Sequence, residues 1–139
     1  PAFADVTYFG YGPIESYPDK HHDAKLGLYT SDVDSLHEDY LRPQENGSHW
    51  NCSGLALTTS DHRSLLISGT QNFSFNASRY TQEELTTKAH SFELEKSPYT
   101  VLCLDGYMSG CGSNSCGPAL AKKYRVDQDK LTFTFTLNF

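Results

Sequence analysis

Alternating apolar and polar positions are the clearest pattern in this chain, and they are strongest at its C-terminal end. Leucine or phenylalanine occupies every second position from Leu131 to Phe139, with threonine or asparagine between them. A period of two predicts a half-buried β-strand whose aromatic face points inward. Other short segments with strand-like composition are bounded by turn residues; they are 6–9, 53–59, 64–68, 71–75, 91–94, 100–104 and 121–126.

One segment has the pattern of a helix. Thr81 precedes Glu84 by three positions, which is the spacing of a capping box, in which each side chain bonds the other residue's backbone N–H. Leu85 follows as the start of an apolar face, so we predict a short helix over residues 81–90 and a further helical turn within 32–40. With many short strands and one helix, the predicted fold class is all-β, an antiparallel β-sandwich.

Two long segments lack a regular period and are predicted to be loops, 11–30 and 106–118. The second, which we call the Gly-rich loop, holds four glycines among serine and asparagine residues. Glycine allows backbone turns that other residues avoid, and serine and asparagine can bond to sugar hydroxyls or to their own backbone. Long loops in compact domains often carry function, so this loop is the best candidate for binding. A tight structural turn between two strands is the alternative.

Size and charge narrow the classes of function. The chain has 139 residues, which suits one domain, and a net charge of −6. An acidic chain without a basic stripe is unsuited to phosphate backbones, so no nucleic-acid partner is expected. No apolar run approaches the roughly 20 residues that cross a membrane. The first residue is Pro1 rather than methionine, which we interpret as the mark of a chain processed or cut from a longer protein.

The spacing of the cysteines and the lack of common catalytic motifs in the sequence argue against an enzymatic activity of this chain alone. Four cysteines could form disulfides, bind a metal or stay reduced, but four residues separate Cys111 from Cys116, and the other two, Cys52 and Cys103, lie far apart in the sequence. That spacing fits no familiar zinc site, so free thiols and no metal are expected. The sequence also lacks a nucleophile elbow, a phosphate-binding loop and a metalloprotease motif. We therefore expect no catalytic residue in this chain.

Five motifs, taken in order and spacing over nearly the whole chain, resemble one known family. They occupy Tyr8–Lys20, Arg42–Gly47, Asn76–Leu85, Leu104–Tyr107 and Ser109–Pro118. Together they resemble the C-terminal small-chain domain of the lac-type β-galactosidases of glycoside hydrolase family two. The resemblance implies a sandwich of the galactose-mutarotase-like supersandwich type at the end of a multidomain enzyme, which hydrolyses terminal β-galactosides with retention.

The resemblance also assigns roles. In this family the catalytic glutamates and the magnesium and sodium ligands belong to other domains, so no cofactor is expected here, and residues 1–139 would form only part of the small-chain domain. A tryptophan in the Gly-rich loop of the best-known members stacks on the sugar, and Cys116 stands near that position. We therefore predict Asn114, Ser115 and Cys116 as substrate-binding residues, with sugar packing that is weaker or supplied elsewhere because a thiol replaces an aromatic face.

The sequence thus predicts a non-catalytic part of a retaining β-galactosidase that completes one wall of the galactose pocket and aids domain or subunit packing. Its partners would be the remaining domains of the parent enzyme, β-galactoside sugars and, as an open alternative, a homo-oligomer. Because a partial sandwich leaves edges uncovered, we expect exposed sheet edges or apolar patches covered by a neighbouring copy. A free-standing carbohydrate-binding module and a mutarotase-type epimerase are the rival functions. A cytoplasmic location is favoured, with periplasmic or secreted ones left open.

Overall fold

The fold is built from eight short strands and one short helix in a computed structural model that describes residues 2–112 and 117–139. The strands are β1 (Phe3–Gly12), β2 (Lys25–Asp32), β3 (His49–Cys52), β4 (Gly54–Thr59), β5 (Ser64–Gly69), β6 (Phe73–Ser78), β7 (Val101–Asp105) and β8 (Phe135–Asn138). The helix is α1 (Gln82–Thr87), and 3-10 turns occur at Asp34–Leu36, Ser91–Glu93 and Lys122–Tyr124. In the part of the chain that the structure describes, no helix is long and apolar enough to span a membrane.

The strands form two antiparallel sheets. The larger has the order β2-β1-β4-β5-β8 and the smaller has the order β3-β6-β7. The predicted all-β fold, an antiparallel sandwich, is therefore confirmed. Five of the predicted strands correspond to β1, β4, β5, β6 and β7, with ends that differ by a few residues.

Alternate residues of the larger sheet meet the phenylalanines of the smaller one to form the core. The buried apolar side chains are Val6 and Tyr8 from β1, Leu55 and Leu57 from β4, Leu65 and Ile67 from β5, and Phe73, Phe75 and Ala77 from β6. Each large apolar side chain buried in this way stabilises the fold by about 1.5–3 kcal/mol relative to exposure. The period of two in these strands thus follows directly from a core on one side of each sheet.

One polar contact lies inside this core. The hydroxyl of Tyr8 lies 3.0 Å from Nδ1 of His49, and the same nitrogen lies 3.2 Å from the carbonyl oxygen of Tyr11. Burial lowers the pKa of His49 to about 4, so its ring is neutral near pH 7. The contact ties the start of β3 to β1, across the junction of the two sheets.

The C-terminal strand is shorter than its pattern predicts. Pairing with β5 is confined to Phe135–Asn138, at the edge of the larger sheet. Phe133 and Phe135 pack against the core as expected, but Leu137 is 49% exposed and Phe139 is 95% exposed. An edge strand has a neighbour on one side only, so its outer apolar positions gain less burial than the alternating sequence indicates.

Two predicted strands are wrong, because local hydrogen bonds turn the chain there. In segment 91–94 the Glu93 carboxylate accepts bonds from the N–H groups of Ala89 and His90, and a 3-10 turn forms. Segment 121–126 also forms a 3-10 turn, closed by the bond from the N–H of Tyr124 to the carbonyl of Ala121. In neither segment does the sequence pattern reveal these bonds.

The predicted loop 11–30 and the predicted helix also need correction. The loop contains most of β2, whose residues pair with β1 over Asp5–Gly12. The helix α1 ends earlier than predicted, although the hydroxyl of Thr81 caps it by accepting a bond from the N–H of Glu84 at 3.1 Å. The Glu84 carboxylate does not complete the predicted capping box; it accepts from the N–H of Glu95 at 2.9 Å.

Candidate functional site

A polar cavity of about 570 Å³ lies where the described start of the Gly-rich loop approaches two earlier segments. Its lining comes from segments 17–20, 40–45 and 108–112, which are remote from one another in sequence. We call it the loop cavity. A concave site with several convergent polar side chains is the usual form of a small-molecule binding site. The predicted binding residues Asn114, Ser115 and Cys116 lie outside the described residues, and Asn114 is two positions after Gly112 in the sequence.

A buried carboxylate holds one wall of the loop cavity. Glu15 is only 7% exposed, and it accepts bonds from Nζ of Lys20 at 2.7 Å, the N–H of Gly47 at 3.0 Å and the hydroxyl of Tyr17 at 3.3 Å. The hydroxyl of Tyr40 donates a further bond. Burial alone would raise the pKa of Glu15, but the bonds from Lys20, Tyr40 and Gly47 outweigh it and hold the pKa below its ordinary value. The Glu15 carboxylate is therefore ionised at neutral pH, and it holds together the residues that donate hydrogen bonds to it.

Lys20 carries a fixed positive charge at the cavity. Its hydrogen bond to Glu15 raises the pKa of Lys20 above the ordinary value, so the ammonium group stays charged at neutral pH. The same group lies 3.3 Å from the Tyr40 hydroxyl and 5.9 Å from the centre of the Tyr40 ring. An ammonium group has three donors, and two of these directions are taken by Glu15 and Tyr40. The third can serve a ligand in the cavity.

Asp19 holds the opposite wall in place by accepting hydrogen bonds from the backbone of the Gly-rich loop. Its Oδ1 accepts from the N–H of Cys111 at 2.8 Å, and its Oδ2 accepts from the N–H of Gly112 at 2.9 Å. A Cβ at Gly110 would lie 2.5 Å from the carboxyl carbon of Asp19, and Gly112 has a φ of +69°. Glycine at these two positions is therefore what lets the backbone close around the carboxylate. Bonds to an ionised acceptor are stronger than neutral ones.

A turn places the remaining lining residues. Gly47 has a φ of +70°, and a Cβ there would lie 2.5 Å from a backbone carbonyl oxygen. The side chain of Asn46 accepts from the N–H of Glu38 and donates to the carbonyl of Gln44, both at 2.9 Å. These contacts hold Gln44 and Glu45 against the cavity. The segment 43–47, which its Asn-Gly pair marks as a turn, thus both turns the chain and lines the site.

Among the described residues, one carboxylate, Glu45, and one thiol, Cys111, line the loop cavity. Burial, reinforced by the charge of Glu45, raises the pKa of Asp105 at the end of β7. Burial, with the charge of Asp19, raises the pKa of the Cys111 thiol to about 11, so this thiol is protonated near pH 7. Within residues 2–112 and 117–139, no group of three or more histidine, cysteine, aspartate or glutamate side chains is placed to hold a metal ion.

Sequence reasoning missed the residues that make this cavity polar. Lys20, Tyr40, Gln44 and Glu45 lie in or beside two of the motifs that carry the family resemblance, which is the one signal that singles them out. Their convergence with the Gly-rich loop depends on contacts across the fold, through Glu15 on one side and Asp19 on the other. No spacing rule in the sequence encodes those contacts.

Comparison with known proteins assigns the chain to a family. The family model described as "Beta galactosidase small chain" matches residues 1–137. The chain belongs to the beta galactosidase small chain family. Proteins named beta-galactosidase are similar to it in sequence. The one from Actinobacillus pleuropneumoniae is 52% identical over 134 residues, and the one from Staphylococcus xylosus is 37% identical over 138 residues. That of Kluyveromyces lactis is 35% identical over 141 residues.

The small chain match covers most of this sequence but little of those relatives. The matched region is 96% of this chain in the Actinobacillus comparison and 99% in the Staphylococcus and Kluyveromyces ones. The same regions span 13%, 14% and 13% of the three relatives. This small chain sequence is therefore the counterpart of about one-eighth of a beta-galactosidase.

Proposed function

We propose that this chain is a non-catalytic part of a retaining β-galactosidase and that the loop cavity is its contribution to the galactoside pocket. The relatives that carry the name beta-galactosidase support this parent activity. The observation that carries the proposal is the loop cavity itself, in which the Gly-rich loop meets a charged and aromatic wall. Asn114, Ser115 and Cys116 are proposed as further sugar contacts from the same loop.

The chemistry of the lining suits a polyol. Sugar hydroxyls both donate and accept hydrogen bonds, and the cavity offers the ammonium donor of Lys20, the carboxylate acceptor of Glu45 and the amide of Gln44, which does both. The rings of Tyr17 and Tyr40 add apolar surface for the C–H faces of a sugar. Such a wall would bind and orient the galactoside.

The groups that would have to move protons lie elsewhere in this proposal. Glu15 is engaged by four donors and Asp19 by two backbone amides, so each has a structural role. The acid/base and nucleophile glutamates, and the magnesium and sodium ligands, would belong to other domains of the parent. Because free cysteines are usual in reducing compartments, we also propose a cytoplasmic location.

The proposal is tested by Glu45→Gln in the full-length enzyme, with Glu95→Gln as the control. Both changes neutralise a carboxylate, but Glu45 lines the cavity and Glu95 is exposed elsewhere. We expect the KM for a galactoside to rise by about threefold to tenfold in the first variant, since a charged acceptor is lost. No change in KM or kcat would show that the loop cavity does not face the sugar.

The isolated chain separates the proposal from its rivals. We expect purified chain to leave a chromogenic galactoside uncleaved, to bind galactose too weakly for calorimetry and not to interconvert its anomers. Cleavage would contradict the non-catalytic role. Tight binding by the chain alone would favour a carbohydrate-binding module, and anomer interconversion would favour an epimerase.

A further inference from the structure

The face of the five-stranded sheet that points away from the core is apolar and uncovered in this chain; we call it the outer face. Four large apolar side chains lie on it: Phe9, Leu26, Leu28 and Leu66, which are 44%, 53%, 70% and 53% exposed. They come from three different strands, β1, β2 and β5. Single exposed leucines are ordinary, but several on one sheet face form a patch.

The outer face has a recess at its centre. Phe9 is the register partner of Leu28 on one side and of Gly54 on the other, and Ala56 is the partner of Leu66. A Cβ at Gly54 would meet nothing within 4 Å, so the sheet is open above this residue. The resulting depression has a volume of about 320 Å³, with walls that include Phe9, Leu28 and Leu66. It is large enough to receive an apolar side chain.

The polar side chains of the outer face are short, and several bond to one another. The hydroxyls of Thr7 and Thr30 lie 2.9 Å apart, and those of Thr58 and Ser64 lie 3.1 Å apart. The hydroxyl groups in each pair hydrogen-bond to each other, so they have less capacity to bond to water. A sheet with apolar side chains on both faces is typical of one that is covered on both.

Charge on the outer face is confined to one end. Asp5 and Asp32 are register partners on β1 and β2, and they are the charged side chains among the outward strand positions of this face. A solvent-facing surface usually carries about 25–35% charged residues of mixed sign. The Asp32 carboxylate also accepts bonds from the N–H and the hydroxyl of Ser35. Like charges directly opposite each other destabilise a strand pair, so a basic group from a docked segment would relieve the repulsion between Asp5 and Asp32.

We propose that the outer face docks another segment of the same, longer polypeptide, one that seats an apolar side chain above Gly54 and brings a lysine or arginine to Asp5 and Asp32. This rests on the proposed function, in which the chain is part of a larger enzyme. A segment of the same polypeptide is the favoured occupant, because this chain matches only 13–14% of the length of these relatives, which leaves most of such a protein available to cover the face. A second copy is disfavoured by the net charge of −6, which opposes self-association.

Hydroxyl-radical footprinting of the full-length enzyme and of the isolated chain tests the docking directly. We expect Phe9, Leu28 and Leu66 to be oxidised severalfold more slowly in the full-length enzyme, and at equal rates once both proteins are unfolded in urea. Equal rates in the native proteins would overturn the proposal. Protection that appears in the isolated chain at pH 7 and grows with its concentration would assign the face to a second copy and overturn it too.

A variant at the recess gives an independent readout. Gly54→Leu fills open space in the isolated chain, so its melting temperature should be unchanged or higher. In the full-length enzyme the same leucine would displace the docked side chain, and we expect a lower melting temperature and faster proteolysis, with Gly54→Ser as the milder control. An unchanged full-length enzyme would contradict the docking. A KM effect of Glu45→Gln, measured separately, shows whether the proposed function holds regardless of this result.

Discussion

Two neighbouring carboxylates have different tasks because their surroundings differ. Glu15 is buried and is held by four donors from its own loop and from Tyr40 and Gly47, so it organises one wall of the loop cavity. Asp19, four residues later, binds backbone amides of the Gly-rich loop and so organises the other wall. A single short segment therefore sets the distance between both walls. A change in either carboxylate should alter the cavity before it alters the core.

Replacing Asp19 by asparagine should loosen the Gly-rich loop. The variant keeps one acceptor, but its amide NH₂ faces a backbone N–H, so at least one charge-assisted bond is lost at a cost of about 1 kcal/mol. We expect the amides of Cys111 and Gly112 to exchange hydrogen faster, as measured by NMR, while core amides stay protected. Asp23→Asn, an exposed change in the same segment, is the control. Unchanged hydrogen exchange at Cys111 and Gly112 would show that the Asp19 carboxylate does not hold the Gly-rich loop in place.

His49 should make the stability of the chain depend on pH. Its pKa is about 4 in the fold and about 6.5 when unfolded, so the unfolded chain binds the proton first as the pH falls. Its share of the free energy of unfolding is complete above pH 6.5 and declines by about 3 kcal/mol towards pH 4. Urea unfolding of the wild type and of His49→Gln between pH 7 and pH 4 should show a shallower decline in the variant. His22→Gln is the exposed control, and equal slopes for His49→Gln and wild type would refute the assignment.

At the scale of elements, the sequence predicts a strand whose alternate residues are buried. It does not predict a strand whose formation depends on pairing with another strand. The strands β4 and β5 alternate cleanly because one face of each lies in the core. Most of β2 falls within the predicted loop 11–30; its leucines lie on the outer face, and its inner positions include Gly27 and Ser31. Its existence depends on pairing with β1, which a single-segment pattern does not contain.

In the candidate site, too, the sequence indicates features of a single segment but not contacts between segments. Composition makes the Gly-rich loop a candidate for binding and leaves a structural turn as the alternative; its described part, residues 108–112, lines a cavity. The opposing wall was not predicted, because Lys20 and Glu45 reach it through a turn at Gly47 and a buried bond to Glu15. Long-range contacts of this kind are set by the fold as a whole, and composition is silent on them.

The two segments that flank β8 test how far the alternating pattern of the C-terminal residues corresponds to burial. Phe133 packs against Gly69 and Gly106, where a Cβ would collide with its ring, and its ring centre lies 4.5 Å from that of Phe135. Phe133→Ala should lower the free energy of unfolding by about 2 kcal/mol, less than for a fully buried phenylalanine. Phe139→Ala is the matched control, since that ring is 95% exposed. A loss of similar size in both variants would mean that the strand is buried along its whole length.

At the scale of the whole molecule, the net negative charge opposes contact between copies of a partly uncovered sandwich. The chain has a net charge of −6 at pH 7 and a sequence pI near 5.4. Repulsion between like-charged molecules opposes contact between outer faces, and this repulsion vanishes near the pI. The same apolar face that suits docking within a longer polypeptide is thus a liability for the chain alone.

Self-association of the isolated chain should therefore rise as the pH approaches 5.4. Light scattering between pH 8 and pH 5 is expected to show larger particles at the acidic end, and Leu28→Thr with Leu66→Thr should suppress them, since both leucines lie on the outer face. Leu41→Thr removes a leucine that is 97% exposed on a loop, so it controls for lost hydrophobicity alone. If the loop variant suppressed association as strongly as the sheet variants, the outer face would not be the adhesive surface. If association rose at pH 8, charge repulsion would not be what separates the copies.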